Sequence, residues 1–516
     1  ESVIDGNMTI TSDNVTVDGI ELTNFRYNGI FMQALNNVTI TNSLFTSPDT
    51  GTSAAGAIII QPVIDQAGTV TVDGVNITNN KFDIPAANSS TTGIRFTMHK
   101  TYGGNDYFIN YDNVNIADNE FVTPYRSIWS ATPTAYFHIN NLDITANNFH
   151  DSGTALNLGN MDATSSITGN NFENLSSAMV VHFREVGAQI SGNQFNNVSG
   201  SGIYFFDDTW FPTTSEGASV TGNTFTNVGR HIYSASDLVD TTAMIAENGF
   251  DKMVFASSSD NIFGTIQSAV DGATAGDTVT VSDGTYVENV TIDKALSLVS
   301  ENGYTTTTIQ GDGAGSELAT IVIGADDVQL GDLGKGFTII GLNGNGAVEK
   351  AAVYLDGAMD NINIIGNDIV ANGDYGLLSL YGAAVTNTTI DSNIFSGKTF
   401  EGENPGGAGF SEQFNVGNNV PRQLVAFNGG AGSSNDNIVF TSNQITGVAG
   451  GLNDSNAEQG NTLVTIDAIN STVTGNTFAG TTARYGAALR VRGAGDATIT
   501  GNTFDSSNMG VNNAQI

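Results

Sequence analysis

Charged side chains at a fixed distance from a repeated phenylalanine are the first candidates for chemistry. Arg184 and Glu185 come twelve and thirteen residues after one phenylalanine, and Asp207 and Asp208 come twelve and thirteen after the next. If the two segments stack, Arg184 lies beside Asp207, and Glu185 lies beside Asp208. The spacing therefore predicts a compact group of three carboxylates and one guanidinium.

Three kinds of chemistry fit that group. A carboxylate pair beside a basic residue can perform acid–base catalysis on a glycan. The same carboxylates, Glu185, Asp207 and Asp208, can bind Ca²⁺ through oxygen atoms. The third alternative is a surface ion pair that contributes little to stability. A second Ca²⁺ candidate is the acidic turn Asp326-Asp327, where like charges on successive layers would repel.

Outward-pointing aromatic residues are the second class of candidates. In a strand where Ile203 and Phe205 point inward, Tyr204 and Phe206 point outward. Trp210 follows a few residues later. These three aromatic side chains can contact a glycan or a partner domain. The alternative is packing beneath a loop.

Exposed arginines form the third class. If Leu489 and Val491 point inward, Arg490 and Arg492 point outward, and the same alternation places Arg95 outward. Exposed arginines are unusual in a chain with 52 acidic and only 16 basic residues. Arg490 and Arg492 therefore predict contact with an acidic partner or a glycan, with a solvated pair as the alternative.

A repeated phrase identifies the elements that must position these residues. It runs apolar residue, small polar residue, Gly, Asn, any residue, aromatic residue, as in Val220-Thr-Gly-Asn-Thr-Phe225. Close copies end at Phe172, Phe195, Phe225, Phe478 and Phe504, and looser ones at Phe25, Phe45, Phe82, Phe121, Phe149, Ile369, Phe395 and Ile445.

The phrase predicts a coil that returns to the same place. The alternating residues before Gly favour a short strand with one buried face, and Gly-Asn tolerates a left-handed bend. Two intervals of 23 residues, Phe149 to Phe172 and Phe172 to Phe195, indicate a solenoid. With layers about 4.8 Å apart, stacked amides can hydrogen-bond along the axis. The predicted ladder comprises Asn80, Asn119, Asn147, Asn170, Asn193, Asn223, Asn367, Asn393, Asn443, Asn476 and Asn502.

At these repeats the chain resembles the right-handed parallel β-helix family, the pectate-lyase-like solenoids with inner asparagine and aromatic ladders. The resemblance implies an all-β fold, a right-handed parallel β-helix, over nearly the whole chain. It implies no single activity, because this fold carries lyases, hydrolases, adhesins and surface-layer proteins. The catalytic aspartate sets of its pectin-degrading members have no match here, so no catalytic residue is assigned.

Composition limits the classes of partner. The 516 residues carry a net charge of −36, which disfavours nucleic acid and acidic membrane surfaces as ligands. The sequence has no cysteine and no apolar stretch long enough for a membrane-spanning helix.

Two tandem domains are predicted from a change of pattern. We expect residues 1–258 to form a β-helix that lacks its N-terminal cap, and residues 259–516 to form a second one. The apolar spacing near 262–272 predicts a short cap helix on the second domain, whose C-terminal coils are expected to be missing. Because Ile309-Gln-Gly311 resembles Ile4-Asp-Gly6, we interpret the chain as part of a longer tandem array. The alternative is a weak similarity common to all β-helices.

The function favoured by these observations is that of a non-enzymatic extracellular protein. A surface layer, sheath, filament or adhesin built from β-helix domains would bind copies of itself or cell-surface glycans, with Ca²⁺ as the one expected cofactor. The alternatives are a polysaccharide lyase or glycoside hydrolase of the same fold, or a glycan-binding module.

Overall fold

The computed structural model describes most of the chain. Its description omits residues 1, 26, 34–35, 47–55, 63–67, 85–90, 98–100, 103–104, 124, 131–136, 184–186, 207–217, 235–241, 314–316, 343–349, 398–422, 428, 430–433, 450–461, 480, 483–486 and 506–516. The chain packs as two compact units. Unit 1 comprises Glu1–Met253 and Ser259–Gly264, and unit 2 comprises Val254–Ser258 and Thr265–Ile516.

Each rung of either unit contributes one strand to each of three parallel sheets. Sheet A contains the strand before the Gly-Asn bend, sheet B the strand with the inward aromatic residue, and sheet C the strand that follows. The architecture is a parallel β-helix, as predicted from the repeats.

The strands of unit 1 follow this order. Sheet A contains Val15–Asp18, Asn36–Thr41, Gly68–Thr78, Asn105–Ala117, Phe137–Thr145, Ser166–Thr168, Gln189–Ser191 and Ser219–Thr221. Sheet B contains Ser2–Asp5, Ile20–Thr23, Leu44–Thr46, Lys81–Asp83, Glu120–Val122 and Gly249–Phe250, and sheet C contains Met8–Ile10, Asn28–Met32, Gly56–Ile60, Thr92–Phe96 and Arg126–Ser130. Four long strands bend from sheet B into sheet C: Asn148–Met161, Asn171–Phe183, Gln194–Phe205 and Thr224–Ser234. Two short strands, Thr101–Tyr102 and Ile262–Phe263, pair antiparallel to their neighbours.

Unit 2 repeats the pattern. Its sheet A contains Thr278–Val281, Ser297–Ser300, Gln329–Leu330, Met359–Asp360, Asn363–Ile365, Val385–Asp391, Asp436–Thr441, Ser471–Thr474 and Ala497–Thr500, with Val254–Ala256 antiparallel at one end. Sheet B contains Gly284–Val287, Thr307–Gln310, Thr338–Ile340, Asp368–Ala371, Ile394–Gly397, Gln444–Ile445, Thr477–Phe478 and Thr503–Phe504. Sheet C contains Val290–Ile292, Ala319–Ile323, Ala351–Leu355, Tyr375–Ser379, Gln423–Phe427, Val464–Asp467 and Leu489–Arg492, and Val448–Ala449 pairs with Thr481–Thr482.

A buried asparagine ladder joins successive bends. In a representative rung, Asn193 Oδ1 accepts hydrogen bonds from both the backbone N and Nδ2 of Asn170, at 2.9 and 3.0 Å. Asn193 Nδ2 in turn donates to the Ile167 carbonyl and to Asn223 Oδ1. The residue before each of these asparagines has left-handed backbone, with φ of 63° and 64° at Gly169 and Gly192. The bend thus points the amide inward, where it is fully bonded.

Stacked aromatic rings fill the interior beside the ladder. In unit 1 neighbouring ring centroids lie 4.6–5.0 Å apart and are nearly parallel along the series Phe45, Phe82, Phe121, Phe149, Phe172, Phe195, Phe225 and Phe250. In unit 2 the same column contains Ile309, Ile339, Ile369, Phe395, Ile445, Phe478 and Phe504. Burial of these side chains is the main apolar contribution to each rung.

One predicted copy of the phrase is wrong in register. The inward position opposite Phe45 is occupied by Leu22, so the looser copy ending at Phe25 is displaced by three residues, although Phe25 itself is buried. A further rung, which the phrase does not mark, contains Asn248. Its Oδ1 accepts from Asn223, and Phe250 stacks on Phe225 at 5.0 Å.

The cap helix is shorter than its sequence pattern predicted. It spans Ile266–Gly272 because Thr265 has extended backbone and its side chain accepts a hydrogen bond from Ser268 N, which begins the helix there. Ile262, the first residue of the predicted helical pattern, lies in a strand instead. The only other described helix is Thr242–Ile245.

We predict that Asn193→Ala destabilises unit 1 by about 3–5 kcal/mol, because two Asn170 donors and the Ile167 carbonyl lose their partner in the interior. Both tryptophans, Trp129 and Trp210, belong to unit 1, so urea unfolding followed by tryptophan fluorescence reports on this unit. The exposed Asn196 on the adjoining strand supplies the control, Asn196→Ala, which should change the free energy of unfolding by less than about 0.5 kcal/mol. Equal losses in the two variants would contradict the role of the ladder.

Candidate functional site

One column of outward residues crosses sheet C of unit 1. The register of neighbouring strands places Arg95 beside Trp129, and the column continues through Asn157, Val180, Tyr204 and Tyr233. All six side chains are half-buried, between inward residues that are fully buried. Alternation along each strand therefore sets which side chains this surface presents.

Close packing against the ring column fixes the strand that carries Arg95. A Cβ atom on Gly93 would lie 2.6 Å from the Ser127 carbonyl oxygen and 3.0 Å from the Phe121 ring. Because only glycine fits there, the strand lies directly against the interior and Arg95 is held beside its neighbours in the next rung.

At one end of this column, two guanidinium groups share one indole. The Arg95 Cζ lies 4.4 Å from the centre of the Trp129 ring, and the Arg126 Cζ lies 5.0 Å from it. Arg126 also lies 4.6 Å from the centre of the Tyr125 ring. Cation–π contacts of this kind orient the planar guanidinium and leave its edge available for hydrogen bonds.

At the other end, a third arginine lies among tyrosines. The Arg230 Cζ is 4.9 Å from the centre of the Tyr233 ring, and that ring is 5.2 Å from Tyr204. Three rungs separate Trp129 from Tyr204, or about 14 Å at the usual strand spacing. We call the surface formed by Arg95, Arg126, Trp129, Tyr204, Arg230 and Tyr233 the arginine–aromatic face.

The charge of this face opposes that of the whole chain. The sheet C segments 92–96, 126–130, 153–161, 176–183, 199–205 and 228–234 contain no Asp or Glu, although the chain has 52 acidic residues. Among the described residues, neither a hydrogen bond nor an ion pair engages the side chains of Arg95, Arg126 and Arg230. The described part of the face is therefore a positive strip.

Partial burial makes the positive charge of Arg95 costly. Burial lowers the pKa of Arg95, while the nearby Tyr125 raises it. The Arg95 Nε atom is buried and has no hydrogen-bond partner among the described atoms. A ligand carboxylate would supply both the missing acceptor and the opposite charge.

Sheet B carries a different charged group beyond the corner at Asp151. Lys81 Nζ lies 2.9 Å from Glu120 Oε1, His150 Nε2 lies 3.2 Å from the same oxygen, and His150 Nδ1 lies 2.9 Å from Asp151 Oδ2. The hydrogen bond from Lys81 lowers the pKa of Glu120. Burial opposes protonation of His150, but hydrogen bonds to Asp151 and Glu120 outweigh it and raise its pKa. These charges neutralise one another, so the group holds three rungs together rather than attracting a ligand.

A buried histidine lies beneath Arg230. His231 Nε2 donates to the Lys252 carbonyl at 2.7 Å, and the ring packs between Phe225 and Phe250. Burial lowers the pKa of His231 to about 4, although the Lys252 carbonyl and the Asp251 carboxylate oppose this shift. The imidazole is therefore neutral at pH 7 and serves packing.

The sequence-predicted site residues have different outcomes. Glu185, Asp207, Asp208 and Trp210 lie outside the described residues, as does Arg184, so the predicted carboxylate group and its Ca²⁺ stay predictions.

The described aromatic and acidic candidates all have neighbours in adjacent rungs. Tyr204 lies on the arginine–aromatic face, and the Phe206 ring lies 5.5 Å from that of His182. Asp326 Oδ1 accepts from Asp360 N at 2.8 Å, and Asp327 Oδ1 accepts from Asn361 Nδ2 at 2.7 Å. These two carboxylates link adjacent rungs. Within the described ranges, no three His, Asp or Glu side chains gather in a metal-binding arrangement.

The second arginine pair lies in the last described rung of sheet C in unit 2. Arg492 pairs with Asp467, and Arg490 is half-buried beside Thr465. Leu489 points inward as expected, whereas Val491 is only half-buried.

Sequence reasoning missed Arg126, Trp129, Arg230 and Tyr233. Part of the signal was available, because Trp129 and Tyr233 each lie one residue before the buried end of a sheet C strand, as Arg95 does, whereas Arg126 and Arg230 lie four residues before it. Because intervals such as that from Phe82 to Phe121 are long, the sequence does not show which rungs are neighbours. The arginines could therefore not be matched to their aromatic partners.

Comparisons with known proteins give little further information. No family model and no curated protein sequence matches the chain. Among solved structures, the chain is similar to the A-module of mannuronan C-5 epimerase AlgE6 from Azotobacter vinelandii, with 13% identity, 95% of this chain and 91% of that chain covered, and a TM-score of 0.21. It is also similar to a mutant of the PL6 family alginate lyase AlyGC, with 10% identity, 98% and 97% covered, and a TM-score of 0.27. TM-scores this low carry no argument about activity.

None of the described helices is long and apolar enough to cross a membrane.

We predict that unit 1 loses stability on acidification between pH 6.5 and pH 4 because of His231. Its folded pKa of about 4 lies below the ordinary value of 6.5, so the stabilising neutral form is fully present above pH 6.5 and is lost as pH falls towards 4. This single group accounts for about 3 kcal/mol by pH 4. Urea unfolding followed by tryptophan fluorescence should show a smaller acid loss in His231→Gln, which keeps a donor for the Lys252 carbonyl but does not titrate. Identical pH dependence in the two proteins would contradict this assignment.

Proposed function

We propose that unit 1 binds an acidic polysaccharide along the arginine–aromatic face. The observation that carries the proposal is the set of three arginines, Arg95, Arg126 and Arg230, oriented on aromatic rings in a strip without carboxylates. Their edge N–H groups lack acceptors among the described residues, and a guanidinium edge fits a carboxylate bidentately.

The ligand class follows from the shape and chemistry of the face. Its positions repeat along the stacking axis, which suits an extended polymer with one negative charge per unit. The rings of Trp129 and Tyr233 orient the guanidinium groups, and the arginines select the anionic groups of the polymer.

This proposal favours the glycan-active alternative over the structural protein that the sequence alone favoured. A scaffold of stacked rungs needs the buried ladder and ring column, but it has no requirement for half-buried arginines without counter-ions. An acidic polysaccharide is commonly an extracellular or cell-surface polymer, which agrees with the predicted location. Association with further copies of the chain, and Ca²⁺ binding, stay predictions.

A second candidate function is removal of the proton next to the carboxylate of a bound uronate, as in eliminative cleavage or epimerisation. Arg230 would neutralise that carboxylate, which makes the neighbouring carbon acid easier to ionise. The Tyr233 phenol, next to Arg230, is placed to exchange a proton with the same sugar residue. The specific observation that favours this candidate is that the Tyr233 ring contacts both Arg230 and the ring of a second phenol, Tyr204.

The binding proposal predicts that Arg95→Gln and Arg126→Gln each weaken binding of an acidic polysaccharide about 10-fold, because each removes one charge-assisted hydrogen-bonding group. Titration calorimetry with alginate, polygalacturonate and neutral dextran provides the measurement. We expect binding of an acidic polymer that weakens with added salt, and no binding of dextran.

Lys335→Gln is the matched control for these variants, since it removes one positive charge from an exposed position in unit 2. It should leave the dissociation constant within about twofold of the wild-type value. Equal weakening by Lys335→Gln and Arg95→Gln would attribute binding to overall charge and would contradict a specific face.

The catalytic candidate makes a separate prediction. If unit 1 performs elimination, incubation with the bound polymer generates an unsaturated sugar that absorbs in the ultraviolet, and Tyr233→Phe lowers the rate by about 100-fold while binding is retained. Proton exchange at the uronate carbon, detected in deuterated water, is the corresponding readout for epimerisation. Absence of both signals with a polymer that binds would leave unit 1 as a binding module.

A further inference from the structure

Sheet C of unit 2 has an outward column with a different composition. The register runs from Val322 through Tyr354, Leu378, Ala426 and Thr465 to Arg490. The members before Arg490 are apolar or small, and Tyr354, Leu378 and Ala426 are buried. The outward column therefore has no charged side chain before the strand Leu489–Arg492, and that strand contains two arginines.

Arg492 is fully paired. Arg492 Nε lies 3.0 Å from Asp467 Oδ1 and Arg492 Nη2 lies 2.8 Å from Asp467 Oδ2, in a bidentate fork. The Asp467 side chain is 1% exposed and also accepts from Gly429 N at 3.3 Å. Hydrogen bonding to Asp467 raises the pKa of Arg492, and the nearby Tyr381 adds to this shift. Asp467 thus holds Arg492 in place with both of its oxygens in use.

Arg490 has no such partner among the described residues. Among the described residues, no acceptor or carboxylate pairs with Arg490, and its Nε is buried without a hydrogen bond. Burial lowers the pKa of Arg490, and the positive charge of Arg492 acts in the same direction against the attraction of Asp467. Two guanidinium groups therefore face one carboxylate, which leaves one positive charge and one set of planar donors unmatched.

The unmatched donor repeats a feature of unit 1. Arg95 and Arg490 each follow a buried inward residue of a sheet C strand, and each has a buried Nε without a partner among the described atoms. A half-buried guanidinium without an acceptor is unfavourable in the free protein, so its retention at this position indicates a ligand that supplies the acceptor. The planar fork fits a carboxylate better than a point anion.

An exposed aromatic ring adds the second element of a sugar site. Tyr381 is 77% exposed and is near enough to Arg492 to add to the rise in the pKa of that arginine. A flat apolar ring beside a carboxylate-binding fork can contact both parts of a uronic acid residue.

We propose that Arg490, supported by Arg492 and Tyr381, forms a second binding site for a carboxylated sugar, in unit 2. This site goes beyond the function proposed for unit 1: it shares the ligand class but none of the residues, so either site can be present without the other.

The test uses the full chain with the unit 1 face disabled by Arg95→Gln, Arg126→Gln and Arg230→Gln, and a trigalacturonate probe with maltotriose as the neutral control. Titration calorimetry should show that this background still binds trigalacturonate at one site and ignores maltotriose. Adding Arg490→Gln should weaken the remaining binding at least 10-fold, and Arg490→Lys, which keeps the charge but loses the planar fork, should weaken it as well. Adding Lys335→Gln instead should leave it unchanged.

Stability and association serve as further readouts. Because Arg490 has no partner in the free protein, Arg490→Gln should not lower the melting temperature, whereas Asp467→Asn, which removes the counter-ion of Arg492, should. The proposal is overturned if the face-disabled background binds no trigalacturonate, or if Arg490→Gln leaves its affinity intact. A change in self-association with unchanged sugar affinity would overturn it in favour of a protein partner.

Binding by wild-type unit 1 is measured separately, through loss of affinity for the polymer in Arg95→Gln alone. Failure of the unit 2 site is therefore distinguishable from failure of the unit 1 proposal.

Discussion

The structure depends on the hydrogen bonds of the buried asparagine amides, each of which must find its partners in the neighbouring rungs. The inner asparagines present an oxygen to the donors of one neighbour and a nitrogen to acceptors of two others, so removing any one leaves several polar groups unpaired in an apolar interior. The left-handed bend before each asparagine places the next residues, and hence the ring column, at a fixed offset. Each rung is thereby held in register with the one beneath it.

That fixed interior leaves the outer residues free to vary. Inward positions repeat apolar and aromatic types, whereas outward positions at the same level range from Val180 to Arg95 and Trp129. Stacking places such residues one above another, whatever the number of residues that separates them in the sequence. The arginine–aromatic face arises in this way: residues more than 100 positions apart in the chain lie along one strip, and their spacing is that of the rungs.

The sequence predicted the interior well and the surface less well, for a physical reason. Asn170, Asn193 and Phe172 recur in a phrase whose composition is dictated by burial, so the solenoid and the parity of Arg95 could be inferred from spacing alone. Leu22 was missed because an aliphatic residue satisfies the ring column as well as an aromatic one. Asn248 was missed because its rung lacks the preceding small polar residue and Gly, with Ala246-Glu247 in their place. The partners of Arg95 could not be predicted, since loops of unequal length separate consecutive rungs and the matching residues carry no motif of their own.

The register of the rungs is tested most directly by cross-linking two positions that it places side by side. Glu173 and Asn196 are register partners on adjacent strands, and Thr226 is the partner of Asn196 one rung further on. Because the chain has no cysteine, a Glu173→Cys/Asn196→Cys protein is expected to form an intramolecular disulfide under mild oxidation, since Cα atoms about 4.8 Å apart can be bridged. The Glu173→Cys/Thr226→Cys protein, with about twice that separation, should stay reduced. Equal cross-linking in the two proteins, or none in the first, would contradict the stacked register and the arginine–aromatic face built on it.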